Sequence, residues 1–262
     1  MNTKNYTSFL CNLAILFTLS SCNALKVLTG AETKIAFDEN GTPPNIPYDN
    51  SHTLGFYRME ESFGTTAVSL STTDLTIDEG AGNITSSGVV GNGFNCSGFT
   101  GAASKLYNFA FGPSLNNGED FSLAFWVDIT STASETIIDF STSGGTQLKI
   151  VSDDSDSDTV YDDLKIMHGP EFFFVDNVGG WSHVALISKS GGSSIEVWLN
   201  GTHINTSNLT PKVIELMELY VCNDRGAGNQ FSGSIDSLGI WDRALSVEEV
   251  KGLYNGNNDY DL

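Results

Sequence analysis

The stretch from Phe231 to Gly256, FSGSIDSLGIWDRALSVEEVKGLYNG, narrows the folds open to this chain more than any other. Ile235, Leu238 and Ile240 mark an apolar strand. Ser246 and Glu249 then form an S-x-x-E capping box, in which hydroxyl and carboxylate each satisfy a backbone amide left open at a helix start. Val247, Val250 and Tyr254 recur at helical spacing, and Gly256 follows as a C-terminal stop. The pattern predicts a strand, a polar turn and a short capped helix, in that order.

From Leu54 onward the chain is dense in strand signals. LGFYRM, SKLYNFAF, FSLAFWVDI, WSHVALIS and SSIEVWL are strand patterns separated by turn residues at short spacing. The Asn200-Gly201 pair directly after IEVWL signals a type I′ hairpin, because both central turn positions need positive φ. Only Ser246 to Asn255 carries a clear helix pattern, so two antiparallel sheets of an all-β sandwich are expected. The 262 residues suit one such domain with an ample core, and 27 glycines with a charged fraction of 17% fit short strands and many turns.

Residues 1–22 read as a lipoprotein signal peptide. Lys4 gives a thin positive start, Phe9 to Leu19 is an apolar run well short of the ~20 residues a membrane span needs, and Leu19-Ser20-Ser21-Cys22 resembles a lipobox. Cys22 is then the lipidated residue; the other reading is an ordinary secretory leader cut nearby. Residues 23–52, with TPPNIPYDN, form a linker, 53–256 the folded domain and 257–262 a tail. A net charge of −20 argues against nucleic acid and leaves membrane contact to the lipid alone. With Cys11 in the leader, Cys96 and Cys222 are the pair left in the domain. An oxidising compartment invites a disulfide between them, yet each also falls in a strand pattern where a buried thiol packs as a small apolar group.

These segments together resemble the laminin G-like, concanavalin A-like jelly-roll domains. LGFYRMEE is similar to the family's opening strand, GNGFNCSG to its second landmark with Cys96 where an aromatic is common, and FSLAFWV, WSHVALI and IEVWLNGT to its central strands. GSID and ALSVEEVKGLY match its last core strand and closing helix. The resemblance implies a two-sheet antiparallel jelly roll with a short C-terminal helix, a scaffold shared by binding modules, adhesion domains and carbohydrate-active enzymes. It also implies a structural Ca2+ site between an opening-strand acid, Glu60 or Glu61, and Asp236; the alternative is that Asp236 only hydrogen-bonds its neighbouring turn. Trp126, Trp181 and Trp198 are expected to pack between the sheets.

The chemistry of catalysis is hard to find. Glucanases of this fold carry an E-x-D-x-x-E string that sets two carboxylates about 5 Å apart, and none is present. Glu215 and Glu218 would face opposite ways on a strand, and His52, His168, His183 and His203 lack ligand spacing. Asp154, Asp156 and Asp158 alternate ahead of Asp162 and Asp163 as in a calcium loop, but Thr159 and Lys165 stand where that loop needs glycine and glutamate. A solvated acidic loop is the simpler expectation. Phe172, Phe173 and Phe174 break strict alternation, so at least one ring should leave the core.

The expected function is a non-catalytic, envelope-tethered module that binds a glycan or an extracellular or envelope protein. Tyr161, Phe173, Asp154, Asp156 and Asp158 are its candidate ligand contacts, since an aromatic face beside acids or a bound cation suits polar ring ligands. A hydrolase or lyase with a dispersed site, and a structural lipoprotein with a protein partner, are the other readings.

Overall fold

The computed structural model describes residues 52–59, 66–67, 74–78, 85–89, 91–98, 105–108, 119–142, 145–158, 160–189, 193–208, 218–226 and 228–256. The leader, Cys22, the linker, Glu60, Glu61, Glu215 and the tail lie outside the described residues. The described strands form two antiparallel sheets. The first runs β14 (Thr202–Asn208), β13 (Ser194–Leu199), β12 (Ser182–Lys189), β7 (Phe121–Ile129), β16 (Gly233–Trp241), β5 (Asn92–Asn95) and β4 (Thr85–Ser87). A further strand, β1 (Thr53–Tyr57), pairs with Leu238–Trp241 of β16, on the edge that β5 uses at Ser234 and Ile235. The second sheet runs β11 (Glu171–Val175), β10 (Asp163–His168), β9 (Gly145–Asp153), β8 (Thr136–Thr142), β15 (Leu219–Val221), β6 (Lys105–Asn108), β3 (Leu75–Asp78) and β2 (Thr66–Ala67).

Because side chains alternate across a strand, each sheet gives one face to the sandwich core. Leu123, Phe125, Val127, Val184, Leu186, Val197, Ile235 and Ile240 come from the first sheet. Ile138, Phe140, Leu148, Ile150, Leu164, Ile166, Leu219 and Val221 come from the second. Burying each such side chain contributes about 1.5–3 kcal/mol, so the sandwich core is the main source of stability. Cys96, in the 3-10 turn after β5, is bonded to Cys222, just after β15, with Cα atoms 5.3 Å apart. The disulfide therefore ties one sheet to the other.

The helix α1 (Val247–Gly256) starts at the expected cap: the Ser246 amide donates to Glu249 Oε2 at 2.7 Å, and the Glu249 amide to Ser246 Oγ at 3.2 Å. It covers the outer face of the first sheet and makes a second, smaller core there. Tyr254 stacks on Trp126 with ring centres 5.5 Å apart, and Leu245, Val250, Leu253 and Trp241 are buried. This corrects the tryptophan expectation. Trp126 and Trp198 are buried, but alternation with Phe125, Val127 and Val197 turns them to the outer face rather than between the sheets. Trp181 is half-buried on the same face and reaches toward Gly93 of β5. The turn between β13 and β14 has φ of 50° at Asn200 and 71° at Gly201, as the Asn-Gly signal requires. A Cβ at Gly201 would stand 2.8 Å from Tyr254 Cδ1, so glycine is also needed for the turn to pack against α1.

Candidate functional site

The loop between β9 and β10 gathers the acids, and Asp163 organises it. Its Oδ2 accepts the Ser155 amide at 2.8 Å, the Ser155 hydroxyl at 2.7 Å and the Asp156 amide at 3.4 Å, while Oδ1 accepts the Asn177 amide at 2.9 Å. Burial alone would raise the Asp163 pKa, but these hydrogen bonds together hold it below the ordinary carboxylate value. Asp162 moves the other way: burial, then the charges of Asp163, Asp158 and Asp156, push it up. Oxygens of Asp154, Asp156 and Asp158 lie within 4.8 Å of one another, close enough to face one hard cation. Asp154 Oδ1 is buried and accepts no hydrogen bond among the described residues.

Beside this loop lies the outer face of β10 and β11. Strict alternation holds in β11: Phe173 and Val175 enter the core, and Phe172 and Phe174 face out. Phe173, a candidate ligand contact from sequence, is only 8% exposed, so the ring open to a ligand is Phe172, at 54%. Phe172 and Phe174 meet edge to face with centres 5.5 Å apart, and Lys165 Nζ sits 4.5 Å from the Phe172 centre and 5.7 Å from that of Phe174. Tyr161 is half-buried and Val160 is 50% exposed at the same end of the sheet. Sequence reasoning missed Lys165 and Phe172, although the period of two in DLKIMH, with Leu164 and Ile166 apolar, already turns Lys165 outward.

The cross-strand register continues this outer face through Met167, Lys149, Asp139 and Tyr220. Its central charges are mutually occupied. Lys149 pairs with Asp224 at 3.3 Å, Arg225 with Glu218 at 2.8 Å, and the Tyr220 hydroxyl donates to Glu218 at 2.9 Å. Burial, reinforced by Glu218, pushes the Tyr220 pKa up to about 12, so the phenol stays protonated.

Asp236 is fully buried in β16, where Oδ2 accepts the Val89 amide at 2.9 Å and Oδ1 the Ser237 hydroxyl at 3.0 Å. Both oxygens thus fasten the Gly88–Val89 turn and a bulge in β16; the acids expected opposite, Glu60 and Glu61, are outside the described residues. Histidines occupy separate places. His52 bonds Asp242 at 2.9 Å, His203 bonds Thr206 at 2.9 Å, His168 is buried in β10, and His183 lies beneath α1 with Trp126 and Tyr254.

Two antiparallel sheets, one with its outer face covered by a helix and the other bearing an exposed ring, a lysine and an acidic rim, make a jelly-roll sandwich. The chain belongs to the Concanavalin A-like lectin/glucanases superfamily, whose family model matches residues 105–251, more than half of it. No curated protein sequence matches it. Among solved structures it is similar to Trypanosoma rangeli sialidase in complex with 2,3-difluorosialic acid, at 15% identity and a TM-score of 0.60, covering 84% of this chain and 35% of that one. It is similar to the receptor binding domain of botulinum neurotoxin D at 13% identity and a TM-score of 0.56, covering 79% and 53% respectively. The binding domain of Paraclostridial Mosquitocidal Protein 1 gives 15% identity and a TM-score of 0.57, with 79% and 52% covered. The chain thus spans about a third of the sialidase and about half of the two toxin domains, and at these identities the likeness is one of fold.

Proposed function

We propose that this domain is a non-catalytic binding module that holds a glycan on the outer face of β10 and β11, with the acidic loop as rim and calcium as an ion bridging loop and ligand. The contrast between the two outer faces carries the reading. On the first sheet α1 and buried tryptophans fill the surface, whereas on the second Phe172 stands open beside polar groups fixed on strands. An aromatic face flanked by hydrogen-bonding groups is what a sugar ring needs, since its C–H face stacks and its hydroxyls pair. The absence of chemistry is supported by how the buried carboxylates are spent: Asp163 and Asp236 accept bonds from loop amides and hydroxyls and Asp139 accepts the Arg225 amide, while half-buried Glu135 accepts the Ser131 hydroxyl and the Ser232 amide. With Cys22 acylated, the linker of residues 23–52 would carry the module at an envelope membrane.

The test is a glycan array probed with soluble residues 52–256, a range within the compact unit Pro47–Leu262, with and without chelator. Binding to a saccharide that weakens on chelation, with no release of reducing ends or unsaturated sugars, is the expected result. Binding to no saccharide would favour a protein partner. Turnover abolished by one carboxylate or histidine change would make the domain an enzyme.

A further inference from the structure

We infer that the saccharide held on β10 and β11 is an acidic one, its ring stacked on Phe172 and its anionic group paired with Lys165; this deepens the glycan-binding reading and rests on it. The chain has 12 lysines and arginines against 32 acids, so a basic side chain ought to find a carboxylate. Four of the described ones do. Lys149 pairs with Asp224, Lys189 with Glu196, Arg225 with Glu218 and Arg243 with Glu249. Lys165 forms no ion pair with any described residue, although the acidic loop begins two residues before it on the same strand.

The fold withholds a partner from it. Its direct cross-strand neighbours are Val151 on β9 and Phe174 on β11, and the nearest acid along β9, Asp153, pairs with Asp163 and accepts the Asp154 amide at 2.9 Å. Asp163, on the same face of β10, has its oxygens bound to the amides of Ser155, Asp156 and Asn177 and is 1% exposed. The ammonium rests instead against Phe172 and Phe174, whose faces attract a cation without neutralising it. Its positive charge is therefore kept available, in a poorly polar setting where an added anion is attracted more strongly than in open water.

Phe172 completes the arrangement. It is 54% exposed even with Lys165 beside it, and edge contact with Phe174 fixes its orientation. A neutral sugar would use the ring but give the ammonium only hydroxyl acceptors and no counter-charge, while a basic ligand would meet the lysine as a like charge. A saccharide bearing a carboxylate or sulfate uses both, and its hydroxyls can turn to the loop.

The experiment probes the purified full chain against an array of uronate-, sialate- and sulfate-bearing saccharides beside neutral counterparts, including methyl esters of the uronates. Binding confined to the acidic members is expected, at least tenfold weaker in Lys165→Met and Phe172→Ser and largely kept in Lys165→Arg, with melting temperatures showing that the variants fold. Esterification of the ligand should weaken wild-type binding by a similar factor, a measurement that needs no variant. Equal binding of neutral and acidic saccharides, or an unaffected Lys165→Met protein, would overturn the inference and leave the module intact. Binding to no saccharide at all would overturn both.

Discussion

His183 shows at single-residue scale what the sandwich does to an ionisable group. It is 2% exposed beneath Tyr254, Nδ1 has no hydrogen bond among the described residues, and burial drives its pKa from 6.5 down to about 3. The unfolded chain takes up this proton near pH 6.5 and the folded one only near 3, so between those values the unfolded state holds more protons and stability falls as pH drops. The stabilising effect of keeping His183 neutral is complete above pH 6.5 and declines by up to about 1.4 kcal/mol for each unit below it. A His183→Gln protein should accordingly show a flatter melting temperature between pH 6.5 and about 5 than the wild type, where carboxylates contribute little. Parallel profiles would show that the imidazole is not the titrating group. Which ring is exposed was not legible at this same scale. Phe172, Phe173 and Phe174 are chemically identical, and only the pairing of Val175 with Leu164 decides which of them faces out.

Elements were more legible than facings. FSLAFWVDI matches β7 residue for residue, IEVWL ends β13, and the capping box starts α1, because each depends on a local pattern that tertiary contacts reinforce. The bulge between Asp236 and Gly239 in β16 was not legible: Ser237 has φ of 50° there, and only the pairing of one strand with both β1 and β5 creates the demand. The acidic loop was visible as composition, but the seat of Asp163 at its centre depends on Asn177 from another loop. The cysteines left two readings open, and the bond between β5 and β15 resolves them. Its sequence separation of 126 closes a long loop in the unfolded chain. In the chain-entropy account such a link stabilises by about 4–5 kcal/mol. The Cys96→Ala, Cys222→Ala protein should therefore melt on the order of 10 °C lower than the oxidised wild type, and an unchanged midpoint would show that the cross-link adds nothing.

At the scale of the whole molecule, the proposed lipid anchor sets position in the cell. Among the described residues no helix is long and apolar enough to cross a membrane. Cys22 as a lipid attachment point is tested by fractionation: Cys22→Ala should move the protein from membranes to the soluble fraction, since stable anchoring needs more than one acyl chain and these would all be lost together. Identical fractionation of variant and wild type would end the anchor proposal. One feature of the fold also bears on how such a module is used in longer chains. The Asp242 amide donates to the His52 carbonyl at 3.0 Å, so the first described strand and the last begin and end side by side, with the ten-residue α1, about 15 Å long, following the last. A unit with its way in and its way out at one place can be strung between other domains, or set into a surface loop of one, without stretching its host. The proposed glycan-binding face, on the other sheet, would be left undisturbed by either arrangement.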